Sequence, residues 1–470
     1  MPIDTQVEPT SDIGEVSLLV PHSEWPERVA EFTTTNLTVW LILMSLVLIG
    51  CAIRIAAVFQ YNPLELQTTD PARWWHDATN LFTIEPILAI DAFGYQLWLG
   101  AVIWITGGGA TAICIHNAAL SVLTPWIWHR VVRELTGDRD IALVAWALFC
   151  WVPSWIAIFS YTMSETLFLP IFGAALWLTL RSHRVQSIGP YSLSAVMWAL
   201  AAATRVFALP FAVVMLLGNL RRSPRPVAKI SLATLAFAVV AIPLSIREHH
   251  MLHVWNPFGF PRMNQIYMES GKQTLRFSIS RDHHAMAWKY EFGSPSLYQE
   301  PLAPLSHWTS SRNGITAFEI DEDRGMADWD AALRKYRASW PHRLHLWLEN
   351  SIIFDFAPSW PDNNPDRFWD RAAIVLRWAW LPLALVTLVW NIVAFTRMSG
   401  SARLLAILTS LAWTLTPLLP AVMEGRYRKP VEGLLIVNLL LLAKLRKTRL
   451  ERESAGVRAE TNLAFQLQPF

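Results

Sequence analysis

Asp70, Arg73, Trp74 and Asp77 fall in the stretch LQTTDPARWWHDATNLF, Leu66 to Phe82, at spacings that bring them to one face of a helix. The stretch follows directly on a long apolar run. A charge at the edge of a membrane is costly, so each one is a candidate for function. A carboxylate there can accept a proton from a hydroxyl, and a neighbouring guanidinium can hold an anion. A structural reading stands beside this one. Asp70 followed by Pro71 is the pattern of a helix N-cap with proline at the first helical position. The cap accounts for Asp70 but not for Arg73 or Asp77. The two roles are compatible, because one carboxylate can accept a backbone hydrogen bond and still face a substrate.

Three more groups of charge interrupt apolar sequence. Glu165 opens an apolar run in WIAIFSYTMSETLFLPIF, where Thr162 to Glu165 also fits a capping box. Arg205 divides two apolar halves in ALAAATRVFALPF. It can snorkel to headgroups, or pair with a phosphate or with an acid such as Glu165. MEGRYRKPVEGLL, Met423 to Leu435, sets Glu424, Arg426, Tyr427, Arg428 and Lys429 at the entrance to the last apolar run. Headgroup anchoring explains such a cluster, as does a site for an anionic lipid phosphate.

Other chemistries lack their signatures. The histidines His249, His250, His253, His283, His284 and His307 follow no metal-binding spacing, so no metal is expected. Gly107 to Gly109 lacks the strand-before, helix-after setting of a nucleotide loop and reads as a hinge. Cys51, Cys114 and Cys150 lie in apolar runs and read as small hydrophobes. A net charge of +2 makes no case for nucleic acid.

The elements that must position these residues are membrane helices. Of 470 residues, 53% are hydrophobic and only 16% are charged. A soluble domain carries about 25% charged residues. The 25 tryptophans suit rings held at headgroup level. Ten spans are expected, near 37–59, 109–134, 140–160, 163–181, 190–204, 206–220, 229–247, 372–396, 403–421 and 430–446. The polar residues 1–36 contain no cleavable signal pattern and read as a cytoplasmic tail, as do residues 447–470. Basic loops around Arg130, Arg133 and Arg139, Arg181 and Arg184, Arg221 to Lys229, Arg397 and Arg403, and Lys444 to Arg449 all fall on one side if both termini are cytoplasmic. The outer, periplasmic side then receives two segments. The first, 60–108, carries interfacial helices, one starting at Asp70 and one from Asp91 to Ile105 with Phe93, Leu97, Trp98, Ala101 and Trp104 on a face. The second, 248–371, contains FEIDEDRGMADWDAALRKYRASWPHRLHLWLEN, read as helical and outside the lipid.

In this order and spacing the motifs resemble the polytopic glycosyltransferases of the GT-C superfamily, near bacterial members related to dolichyl-phosphate-mannose protein mannosyltransferases. The similarity rests on Asp70 with Trp74 and Ala78 in the first outer segment and on the block from His116 to Phe172 with Pro153 and Ser164-Glu165. It rests further on Arg205 after the fifth span and on GRYRKPVEGLLIV at the last one. The resemblance implies an all-α membrane bundle with interfacial helices in the first outer segment and a site at the outer surface. It implies an inverting, metal-independent transfer from a sugar on a polyprenyl phosphate to a glycan, lipid or protein acceptor. In that frame Asp70 is the general base, and Arg205, Arg426 and Arg428 bind the donor phosphate. Glu165, Asp77, Arg73 and Tyr427 contact substrate or supply a second acid. Many members carry a second acid after the first-segment Asp, whereas this chain has Pro71. Two other readings use the same arginines: a flippase for lipid-linked glycans, and a polymerase or ligase with lipid-diphosphate donors.

Overall fold

The computed structural model describes residues 34–66, 69–81, 92–220, 223–252, 255–258, 271–274, 289–292, 306–310, 316–320, 344, 347–348, 351–352, 354–356, 359, 361–418 and 425–466. The chain forms two compact units, Met1–Ile42 and Leu43–Phe470. The first contributes only the opening turns of α1 to the described residues.

The helices are α1 (Thr34–Tyr61), α2 (Thr69–Thr79), α3 (Gly94–Thr106), α4 (Ala110–Thr136), α5 (Arg139–Cys150), α6 (Pro153–Ala157), α7 (Ser164–Val185), α8 (Ile188–Thr204), α9 (Ala208–Leu220) and α10 (Pro226–Leu252). Further along the chain come α11 (Phe368–Ala394), α12 (Gly400–Leu415) and α13 (Lys429–Gln466). Five described helices are long and apolar enough to cross a membrane, and α5 with the segment Pro153–Ser160 makes a sixth if the bent pair is one span. The chain is therefore an integral membrane protein, but length and composition do not confirm ten spans. The other four expected spans coincide with the helices α7, α8, α9 and α13, none of which meets that test. α8 and α9 are short, and α13 opens on charges and continues to Gln466 through the region read as a tail. Residues 447–466 are rich in Arg, Glu, Ala and Leu, all good helix formers, so the helix has no reason to stop at the lipid.

The described part of residues 248–371 includes two antiparallel hairpins. β1 (Gly271–Thr274) pairs with β2 (Lys289–Phe292), and β3 (Ser306–Ser310) pairs with β4 (Thr316–Ile320). This corrects the all-α expectation locally. Phe318 to Ile320, read as the start of a helical stretch, belong to β4, where Thr316, Phe318 and Ile320 alternate as a strand requires. Residues 321–343 of that stretch, like Asp91, Glu424 and His283, lie outside the described residues.

Local chemistry explains the breaks that position the site. Gly107 and Gly108 have φ of 76° and 68°, a conformation that glycine adopts without steric cost. They turn the chain from α3 into α4, as the hinge reading expected. Of the face expected on α3, Leu97, Trp98, Ala101 and Trp104 are exposed, whereas Phe93, just before the helix, is buried beneath Arg247, as Tyr95 and Leu99 are buried in the core. Gly94 lets α3 approach α8 closely, because a Cβ there would lie 2.6 Å from the Ala203 carbonyl oxygen.

The α5–α6 pair bends by 61° at Trp151–Val152, ahead of Pro153. One buried residue, Arg54 of α1, holds that bend. Its guanidinium donates to the carbonyl oxygens of Phe149 (2.6 Å), Cys150 (3.0 Å) and Trp155 (3.0 Å), and to the carbonyl and hydroxyl of Ser121 (3.1 and 3.2 Å). The end of α5 orphans the first two of these carbonyls, and Arg54 supplies the donors they lack. Beneath the site, Trp128 and Trp155 pack at 5.2 Å between ring centres, and Phe172 meets Trp198 edge-on at 5.1 Å. Cys114 and Cys150 are buried, and none of the three cysteines forms a disulfide.

Candidate active site at the membrane boundary

Four elements bring charge to one place: α2, the start of α7, the turn after α8, and the 3-10 turn Gly425–Arg428 that leads into α13. Asp70 lies in the first turn of α2, and its carboxylate pairs with Arg73 at 2.9 Å and with Arg426 at 2.5 Å. The N-cap reading of Asp70 is thus replaced by a first-turn position whose carboxylate faces guanidiniums. Arg426 also approaches Glu165 at 3.6 Å. Glu165 forms a tight ion pair with Arg205. The result is an alternating row, Asp70–Arg426–Glu165–Arg205, that joins residues up to 356 positions apart in sequence.

Each position has a local cause. Arg205 caps the C-terminus of α8 in extended backbone, where the helix ends and the side chain swings back toward α7. It pairs with Glu165 and lies over the Tyr427 ring at 4.8 Å, so snorkelling is not its main role. Arg426 flanks the same ring at 5.8 Å. The expected capping box is not formed. Met163 is the N-cap of α7 without a side-chain bond, Thr162 donates to the Pro63 carbonyl at 3.0 Å, and Glu165 turns to the arginines. Two nearby positive charges fix the direction of the acid, which also accepts from its own backbone amide rather than from that of Thr162.

Burial would raise the Asp70 carboxyl, but the guanidiniums of Arg426 and Arg73, with Arg205 beyond them, outweigh it and hold the group at about 2. Asp70 is therefore ionised at any physiological pH.

Tryptophans suit the lipid surface, but Trp74 is not placed there. It is buried instead, edge-on to Tyr95 at 5.5 Å, because it shares the inward face of α2 with Asp70. Burial pushes the Tyr95 phenol well above its ordinary value, so it stays protonated. Asp77, one more turn along that face, is fully buried with His76 at 3.5 Å. The sequence reading missed its larger neighbour Arg247 on α10, whose positive charge feels Asp77 and lies over Phe93 at 3.2 Å.

Arg428, expected to bind phosphate, is turned into a different network. It bonds Glu432 at 3.1 Å and the carbonyls of Phe354 (2.5 Å) and Asp355 (3.0 Å). Glu432 accepts from Ser154 at 2.7 Å, and Lys429 pairs with Asp362 at 2.9 Å. These bonds tie Phe354, Asp355 and Asp362 to the entrance of α13. Burial raises the Asp355 carboxyl to about 6 against the pull of Arg428.

The arrangement offers an ionised carboxylate beside three guanidiniums at a membrane boundary. Such a site can hold an anionic group and take a proton from a nucleophile next to it. Residues 92–246 of the chain match the family model for dolichyl-phosphate-mannose-protein mannosyltransferase. No curated protein matches the chain. The family match bears out the resemblance drawn from the motifs: the chain is similar to the GT-C mannosyltransferases, which are membrane glycosyltransferases. The matched stretch contains Glu165 and Arg205, whereas Asp70 and Arg426 lie on either side of it.

Proposed function

We propose that the protein transfers a sugar, with inversion, from a polyprenyl-phosphate donor to an acceptor hydroxyl at the outer face of the membrane. The observation that carries this reading is the charge balance of the site. Arg73, Arg205 and Arg426 stand against Asp70 and Glu165, which leaves one positive charge over. A sugar joined to a lipid through a single phosphate is a phosphodiester with one negative charge. It neutralises the cluster, whereas a diphosphate brings a second, unmatched charge.

In this reading Asp70 takes the proton of the acceptor hydroxyl as that oxygen attacks the anomeric carbon. The bond from this carbon to the phosphate oxygen breaks on the opposite face. Negative charge then grows on the lipid phosphate, and Arg426 and Arg205 stabilise it. Glu165 orients Arg205, and Tyr427 spaces the two arginines. While paired with Arg426, Asp70 is a weak base. A donor phosphate that engages Arg426 relieves Asp70 of part of that charge, so the base strengthens when the donor is bound.

The test is transfer by purified protein in vesicles, with matched polyprenyl-monophosphate and polyprenyl-diphosphate hexose donors. Turnover is expected with the monophosphate donor and should be lost in Asp70→Asn. Equal turnover by wild type and Asp70→Asn removes the base assignment, and faster turnover of the diphosphate donor removes the donor assignment.

A further inference from the structure

At the end of the bundle away from the Asp70 centre, α11 and α13 leave a groove of about 470 Å³ between them. Val386, Trp390, Leu439 and Leu442 line it, with Ala443, and Arg446 and Lys447 stand at its mouth. The volume lies within the usual range of ligand pockets, about 300–1,000 Å³. A buried polar contact sets its depth. Asn438 of α13 donates to Asn391 of α11 at 2.9 Å, which closes the helices together at the residues next to Trp390 and Leu439.

The position of the mouth identifies the occupant. Lys429 begins α13 beside the active-site turn, and Arg446 follows 17 residues later on the same unbroken helix. At the rise of an α-helix this places Arg446 about 26 Å further along the axis. That distance is close to the hydrocarbon thickness of a bilayer, about 30 Å. The groove walls therefore face acyl chains, and Arg446 and Lys447, both exposed, sit at the headgroup level of the opposite leaflet. The nearby Lys444 is engaged by Asp138 at 2.7 Å, which anchors this turn of α13 to the start of α5 and keeps the mouth in place.

We infer that this groove is a binding site for an anionic phospholipid of the leaflet opposite the Asp70 centre. One acyl chain lies along Val386, Trp390, Leu439 and Leu442, and the phosphate meets Arg446 and Lys447. Apolar walls that end in two cations match an anionic lipid better than a zwitterionic one, whose own cation the mouth repels. The inference is independent of the proposed transferase reaction.

The test uses wild-type protein, the double variant Arg446→Gln/Lys447→Gln and the groove-filling variant Ala443→Trp. Each is reconstituted in equimolar phosphatidylglycerol and phosphatidylcholine, extracted gently, and read by native mass spectrometry. A basic residue near a charged surface strengthens binding about fivefold. Wild type is expected to retain phosphatidylglycerol over phosphatidylcholine by at least about fivefold. The double variant should lose that preference, and Ala443→Trp should lose tightly held lipid of both classes. A double variant with the wild-type preference overturns the inference. So does an Ala443→Trp protein with the wild-type lipid count, or a wild-type dimer that Ala443→Trp splits, which would make a second copy the occupant. If Ala443→Trp fails to fold, the exposed charge variant decides alone.

Discussion

Two arginine centres in this protein solve the burial of charge in opposite ways. Among the described residues Arg54 has no carboxylate partner, and its guanidinium is filled by four backbone carbonyls and one hydroxyl from α4 and the break between α5 and α6. Arg426 sits between two carboxylates, Asp70 and Glu165, which are themselves shared with Arg73 and Arg205. Backbone carbonyls cannot leave, so the bonds of Arg54 are permanent and their role is to hold a bend. Side-chain ion pairs can be exchanged for an anion of equal charge without orphaning a backbone group. The same residue type is thus structural where it meets main chain and available for binding where it meets side chains.

That contrast yields opposite outcomes for the most damaging substitutions. Asp70→Asn is expected to reduce turnover by about 10²- to 10⁴-fold, the usual contribution of a general base. Its thermal unfolding midpoint should stay within a few degrees of wild type. Arg54→Met should do the reverse. Carbonyls left without donors in a buried site cost about 1–3 kcal/mol each, so a loss of at least about 3 kcal/mol is expected, with near-normal turnover per folded molecule. Unfolding in detergent and active-site-normalised rates measure both. A catalytic loss in Arg54→Met without a stability loss would dissolve the distinction.

Arg426→Gln sharpens the comparison through pH. The Asp70 carboxyl is held at about 2, below its ordinary value of 3.8, so its pairing stabilises the protein fully above about pH 4 and is lost as pH falls through about 2. Removal of the Arg426 charge lets the carboxyl rise toward its ordinary value. The acid limb of the pH–rate profile should move upward, and the donor KM should increase. An unmoved acid limb would detach Asp70 from the rate.

The smallest effect is expected at the periphery. Arg367 pairs with Glu65 at 3.0 Å, but Glu65 is mostly exposed. Glu65→Gln should cost less than about 1 kcal/mol and leave turnover unchanged, as exposed ion pairs usually do. A large loss in either measurement would extend the functional network to the surface.

Much of the candidate site was legible because charge is conspicuous in apolar sequence. Asp70, Glu165, Arg205 and Arg426 each broke a hydrophobic pattern, and their cost in a membrane marks them without knowledge of the fold. Arg54 carried the same signal in the middle of the first apolar run and was passed over as part of an anchor. Arg247 near the end of α10 was passed over likewise. The reverse error fell on Arg428. It lies two residues from Arg426 in a cluster of like charge, and only the approach of Phe354 and Asp355 to the start of α13 assigns it to Glu432 and the backbone. Thr162 to Glu165 spelled a cap, yet the Glu165 carboxylate pairs with Arg205 and Arg426, which only the fold brings beside it.

The sequence by itself determined the membrane class, most of the helices, the hinge at Gly107–Gly108 and the charged residues from which a site could be built. Those follow from composition, periodicity and local backbone preference, which act over a few residues. The tertiary structure alone decided which charges meet. Asp70 and Arg426 come together only because α2, α7, the end of α8 and the turn before α13 converge at one boundary. A carboxylate pairs with the guanidinium that packing brings within a few ångströms, and sequence distance has no bearing on that choice.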